Sequence, residues 1–123
     1  MYYKDMEVWK EAMELVTYIY QITKTFPKEE VFGLVSQIRR CVVSVPSNIA
    51  EGIVKHSDKE TFRYLDIAVG SLAELDTQML IAINLGYIND YEIIEQKISK
   101  VRALLKGLIK YFDKQINDKN LVP

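Results

Sequence analysis

The stretch from Leu34 to Gly52, LVSQIRRCVVSVPSNIAEG, constrains the fold more than any other. Leu34, Ile38, Cys41, Val45, Ile49 and Ile53 recur at three- and four-residue steps, which stacks them on one face of a helix. Gln37, Arg40, Ser44, Asn48 and Glu51 recur at the same steps on another face. A polar stripe is costly to bury unless partners satisfy it, so the rest of the chain must supply those partners or leave the stripe in water. Pro46 lies inside this series and removes the backbone donor to the Val42 carbonyl, a loss that costs about 3 kcal/mol in a helix interior. The apolar series passes through Pro46 without losing phase, which predicts a kink and not a break. Ser44 and Ser47 are placed to help satisfy the freed carbonyls.

A chain of 123 residues makes one domain, residues 1–123, able to bury roughly two thirds of its unfolded surface. Five glycines and three prolines leave little room for loops, so long elements are expected. The net charge of −1 supplies no global field toward nucleic acid or an anionic membrane. A single cysteine excludes an internal disulfide and suits a reducing cytoplasm. The opening MYYKDMEVWKEAM carries acidic residues where a signal peptide would have its apolar run. No apolar run approaches membrane-spanning length, so no membrane association is expected.

The periodicities predict four helices, at about 5–25, 33–54, 58–85 and 90–116, with a frayed tail over 117–123. In the first, Met6, Trp9, Met13, Val16, Tyr20 and Ile22 or Thr23 mark the apolar face and Asp5 is the expected N-cap. Phe26-Pro27 ends it. Ser57-Asp58-Lys59-Glu60 is a capping box that opens the third helix. That helix has a main stripe of Phe62, Leu65, Val69, Leu72, Met79 and Ile83. A second stripe beside it runs through Tyr64, Ile67, Ser71, Glu74, Gln78 and Ile81. Gly70, Ser71 and Ala73 are small enough to admit a neighbouring backbone, and Gly86 closes the helix. Asn89 with Glu92 repeats the capping pattern before the fourth, which runs through Ile94, Ile98, Val101, Leu105, Leu108 and Phe112. Short connections force antiparallel neighbours, so the expected fold is all-α: an antiparallel up-down-up-down four-helix bundle, its second helix kinked at Pro46.

Reaction chemistry is thin. His56 is the only histidine and lies in a connection, and the Glu-x-x-His spacing of di-metal bundles does not occur. Cys41 follows two arginines but sits on an apolar face among valines, which reads as an inert core thiol. Glu51, Glu74 and Asp76 have no accompanying nucleophile or second base. The glycines form no phosphate-binding loop. These residues predict no catalytic site, no metal, no cofactor and no small-molecule substrate. The two polar stripes are in phase, so Gln37, Arg40, Ser44, Asn48, Glu51, Ser71, Glu74 and Gln78 are expected to form a structural polar network. Arg40 and Glu74 should pair within it, and loss of either should lower the melting temperature.

Positive charge concentrates on the last helix, in Lys97, Lys100, Arg102, Lys106, Lys110 and Lys114, with Asp113 the one acidic residue between positions 97 and 114. Such a series either tracks phosphates or forms a solvated outer face. Eight tyrosines exceed what one bundle core accommodates, and amphipathic rings commonly serve subunit contacts.

The segments VWKEAMEL, FPKEEVFGLVSQIRRCVVSVPSNIAEG and ETFRYLDIAVGSLAELDTQMLIAINLGYI, in that order, resemble the four-helix-bundle family of 23S rRNA intervening-sequence proteins. The signatures are Pro46 with Ser47-Asn48-Ile49-Ala50-Glu51-Gly52, and Gly70-Ser71 with Glu74-Leu75 and Thr77-Gln78. The resemblance covers about residues 5–88, and the last helix is similar in character only. Members are small bacterial proteins encoded in insertions within 23S rRNA genes and elsewhere, often given a ribosomal-protein label. Proteins of the same fold serve as pentameric accessory proteins of diversity-generating retroelements, engaging nucleic acid and a reverse transcriptase. The resemblance therefore implies a non-enzymatic homo-oligomer, a pentamer, associated with RNA or a ribonucleoprotein. The alternative it implies is a protein-directed scaffold of the reverse-transcriptase accessory type. One departure is visible: members often carry arginines after Ala-Glu-Gly, where this chain has Val54, Lys55 and His56.

Overall fold

A computed structural model of the protein describes residues 1–120. They form four α-helices and no strand: α1 (Glu7–Thr23), α2 (Leu34–Ile53), α3 (Asp58–Asn84) and α4 (Glu92–Asn120). Short 3-10 turns at Tyr3–Asp5 and Lys28–Glu30 precede α1 and α2. Each helix packs on its neighbours in chain order, and α1 closes the ring against α4, with the most extensive packing between α2 and α3. This is the arrangement of a four-helix bundle.

The core is aliphatic. Leu15, Ile19, Ile38, Ile49, Leu65, Leu72, Ile94 and Leu105 are almost completely removed from solvent, each contributing about 1.5–3 kcal/mol by burial. The α2 and α4 stripes lie where the periodicity puts them: Ile38, Cys41, Val45 and Ile49 on one, Ile94, Ile98, Val101, Leu105 and Phe112 on the other, all buried. On α1 the deep face is Val8, Ala12, Leu15, Ile19 and Thr23, so of the expected series from Met6 only the Thr23 alternative lies on it. Met13 and Tyr20 are exposed, and Trp9 and Val16 pack at the flank, against a groove shared with Val43 and Pro46. The cause is that α1 carries two apolar stripes, and the amphipathic rings take the rim while compact aliphatics take the interior.

Helix ends show what fixes the connections. Ser57 caps α3 by accepting from the Glu60 amide at 3.3 Å, while the Glu60 carboxylate pairs with Arg63 at 3.1 Å and not with the cap residue's amide. Gly86, at φ +78°, ends α3: its N–H bonds the Ile83 carbonyl and the Tyr87 N–H bonds that of Ala82, a Schellman motif. Two expected caps differ. The N-cap of α1 is Met6, without a side-chain bond, because Asp5 belongs to the preceding 3-10 turn. At α4 Asp90, not Asn89, accepts from the Glu92 amide, at 2.9 Å. α4 also continues through Asn120, past the expected end near Ile116, helped by an ion pair from Lys119 to Asp58 on α3. The expectation of a frayed tail is thereby corrected over 117–120, and for 121–123 it lies outside the described residues.

α2 is continuous through Pro46, which is buried. The Ser44 hydroxyl donates to the Cys41 carbonyl at 2.5 Å, and Asn48 Nδ2 donates to the Ser44 carbonyl at 2.7 Å. Ser47 is exposed and makes no such bond, so the polar side chains around the proline serve carbonyls other than that of Val42.

Candidate functional site

The two polar stripes meet along a groove of about 580 Å³ between α2 and α3, lined by Gln37, Arg40, Cys41, Ser44, Ser71 and Glu74 among others. The groove is open. Arg40, Gln37, Glu51 and Glu74 are exposed, while Ser44, Asn48 and Ser71 are half-buried. Arg40 and Glu74 face the same groove, yet no ion pair joins them within 4.0 Å among the described residues. The expected buried pair is thus corrected: within one chain both charges keep their water, which is cheaper than desolvating two ions. The network is local and not continuous. Gln78, buried in α3, donates from Nε2 to Glu74 Oε1 at 3.2 Å, and its own Oε1 is enclosed without a partner.

Among the described residues, the bond that crosses the groove comes from a residue read as merely apolar. Cys41 Sγ donates to the Ser71 carbonyl at 3.0 Å. Burial first, then the Glu74 carboxylate, pushes the Cys41 thiol up to about 12. The adjacent arginines do not activate it; the carboxylate does the reverse. Sequence periodicity missed it, because Cys41 falls in the apolar series of α2 and not in its polar stripe.

The basic side chains of α4 divide into two groups. Lys97 lies half-buried over the Tyr18 ring at 5.1 Å. Lys100 pairs with Glu11 of α1 at 2.9 Å, and this bond raises the lysine's pKa. Arg102 sits 3.9 Å from Asp76 of α3, whose other oxygen accepts the Tyr91 hydroxyl. Burial, then that hydrogen bond, pushes the Tyr91 phenol up to about 12. These three cations hold α4 to α1 and α3, which corrects the expectation that the whole series lacks offsetting carboxylates. Lys106, Lys110 and Lys114 remain: all three are exposed, recur at i, i+4, and have no ion pair among the described residues.

Among the described residues no cluster of His, Cys, Asp or Glu is built to hold a metal ion, and no helix is long and apolar enough to cross a membrane. Fold and faces define a small all-helical bundle whose polar chemistry lies on its outside. The chain belongs to the 23S rRNA-intervening sequence protein family, which it matches over residues 4–107. The matched span ends inside α4, at Gly107, so Lys106 falls within it and Lys110 and Lys114 beyond it. The chain is also similar to a crystal structure of a protein of unknown function from the S23 ribosomal protein family of Bacteroides thetaiotaomicron. The two share 26% identity at a TM-score of 0.77, over 84% of this chain and 95% of that one. No curated protein matches the chain significantly.

Proposed function

We propose that this protein is a non-enzymatic, homo-oligomeric binding protein of the bacterial cytoplasm, associated with RNA or a ribonucleoprotein. The observation that carries this reading is the row of Lys106, Lys110 and Lys114, exposed and without carboxylate partners. Steps of four residues set these lysines about 6 Å apart along the helix axis, in one row that a phosphate backbone can follow. Contacts of that kind would be made to phosphate and carry little sequence information. Repetition once per subunit would add weak contacts by avidity.

The bundle is proposed to be antiparallel, up-down-up-down. Support comes from Gly52, at the end of α2, accepting from Thr61 at the start of α3, and from Asp58, at the start of α3, pairing with Lys119 at the end of α4; Cys41 bonding Ser71 and Glu11 pairing with Lys100 follow the same antiparallel order. A kink of α2 at Pro46 belongs to the same proposal.

The oligomer is proposed to be a ring of five, using the outer face of α3. Ile67 and Ile81 are exposed there, flanking Ser71 and Glu74. A partner subunit would cover those side chains and give the polar stripe its remaining hydrogen bonds. A closed ring requires head-to-tail contacts between two different patches. The second reading is a scaffold whose exposed apolar residues hold a protein partner, such as a reverse transcriptase, without touching nucleic acid. Replacing Lys106, Lys110 and Lys114 by Glu separates the two: RNA binding should be lost while the fold and oligomer persist. A nuclease-resistant complex with a protein partner, and no RNA binding by the unmodified chain at low salt, would leave the scaffold.

A further inference from the structure

Where α1 hands over to α2, the chain encloses an open cleft of about 570 Å³, within the range of small-ligand sites. Its lining contributes Lys24, Lys28, Arg39 and Arg40, and no carboxylate. Lys24, Lys28 and Arg40 are exposed. Arg39 is held in place: Nε donates to Thr23 Oγ1 at 3.0 Å and Nη2 to the Tyr20 carbonyl at 3.2 Å. Its guanidinium lies 4.5 Å from the centre of the Tyr20 ring. Two of its five N–H groups are thereby used, and the others remain as donors.

The acids nearest the cleft lie outside its lining, Glu74 among them in the neighbouring groove that shares Arg40. Glu30 is occupied on both oxygens, accepting from the Leu34 amide at 3.3 Å and from the Tyr87 hydroxyl at 2.8 Å. Glu29 is exposed on the same turn and lies outside the lining. At the rim stands Phe32, 97% exposed. Its neighbour in the lining, Phe26, is buried against Tyr87. A phenyl ring 97% exposed beside four cations offers a flat apolar surface to a flat, anionic ligand.

We propose that this cleft binds a segment of single-stranded RNA, with phosphates on Lys24, Lys28, Arg39 and Arg40 and one unstacked base on Phe32. The inference rests on the RNA-associated reading above and names the form of RNA and the place. A duplex keeps its bases stacked and would leave Phe32 unused, whereas a single strand presents both faces of a base and a turning backbone. The cleft and the lysine row of α4 share no residue, so the two surfaces can be tested apart.

The test is fluorescence anisotropy of the full chain with labelled oligouridine and with a duplex RNA of equal length. Phe32→Ala should weaken oligouridine binding about 5- to 100-fold and leave duplex binding unchanged. A variant carrying Lys24→Gln, Lys28→Gln and Arg40→Gln should lower the slope of log K against log salt for oligouridine by about 2. All four positions are exposed, and a thermal melt confirms that the variants fold. Oligouridine affinity unchanged in Phe32→Ala overturns the proposal. If that result accompanies loss of binding on charge reversal of Lys106, Lys110 and Lys114, the α4 reading stands and the cleft alone falls. Oligouridine binding that survives the α4 reversal but is lost in Phe32→Ala supports the cleft and removes α4. A fall in oligomer mass for Phe32→Ala, with RNA affinity intact, makes the cleft a subunit contact and overturns the proposal.

Discussion

Thr61, in the first turn of α3, donates its hydroxyl to the carbonyl of Gly52, in the last turn of α2, at 2.7 Å. The helices come this close because Gly52 has no side chain. A Cβ built there would stand 2.9 Å from the Tyr64 Cβ and 3.3 Å from the Thr61 carbonyl oxygen. Backbone, not a flexible side-chain end, would have to move. Gly52→Ala should therefore destabilise the protein by about 1–3 kcal/mol. Thr61→Val should cost about 1 kcal/mol through the lost bond. Gly70 is the control: nothing lies within 4 Å of a Cβ there, so Gly70→Ala should raise stability by about 1 kcal/mol through helix propensity. Urea unfolding of the three variants checks the order.

Cys41 should be inert. Its thiol is buried and its pKa is pushed up to about 12 by burial and by Glu74, against roughly 8.5 for an unperturbed thiol. In the native protein at pH 8 a disulfide reagent should react only on the timescale of unfolding, and at once in denaturant. The folded pKa lies above the unfolded one, so the folded state retains its proton longer. The associated stability is complete below the ordinary thiol value and is lost as pH rises toward 12. Tyr91, pushed up to about 12 by burial and Asp76, acts in the same direction. Melting temperature should fall from about pH 9 upward, less steeply in Cys41→Ala. Rapid labelling of the native protein at pH 8 would contradict this.

How much of this could be read from the sequence depends on whether one stripe competed with another. On α2 and α4 the dominant series go inside, and Ile38, Val45, Ile98 and Leu105 are buried as expected, although α2 also buries Val35 and Val42 from outside its series. α1 carries two series, and periodicity alone cannot say whether Trp9 and Met13 or Val8 and Leu15 go inside. Small residues misled in a related way. Gly70, part of the family signature, was read as a point of close approach and is open, whereas Gly52, in the Ala-Glu-Gly triplet, is the crowded one. Helical phase gave the six cations of α4, but only the neighbours across the bundle decide which are taken: Glu11 takes Lys100 and Asp76 takes Arg102. Phe32 lies in a connection, where no periodicity assigns a face, and its exposure was not legible at all.

The proposed oligomer would cover apolar residues that the single chain leaves outside. Ile67 and Ile81 on α3 are 42% and 43% exposed, and Leu85, its C-cap, is 53% exposed. Light scattering at micromolar concentration should give about five times the 14.3 kDa chain mass. Ile67→Lys with Ile81→Lys should return it to one. In the assembled form Glu74→Ala should lower the melting temperature, and in that monomeric variant it should not, because Glu74 is exposed in the single chain.

The most direct measurement is the salt dependence of RNA binding, compared between the unmodified chain and single substitutions Lys106→Gln, Lys110→Gln and Lys114→Gln. Each lysine that contacts a phosphate contributes about 0.7 to the slope of log K against log salt for a single strand. A steep negative slope is expected for the unmodified protein. A decrement of about 0.7 per subunit-equivalent lysine is expected at each of the three positions, and none for Lys100→Gln, whose ammonium is already paired with Glu11. Equal slopes for all four substitutions and the unmodified chain, or no binding at low salt, would contradict this expectation.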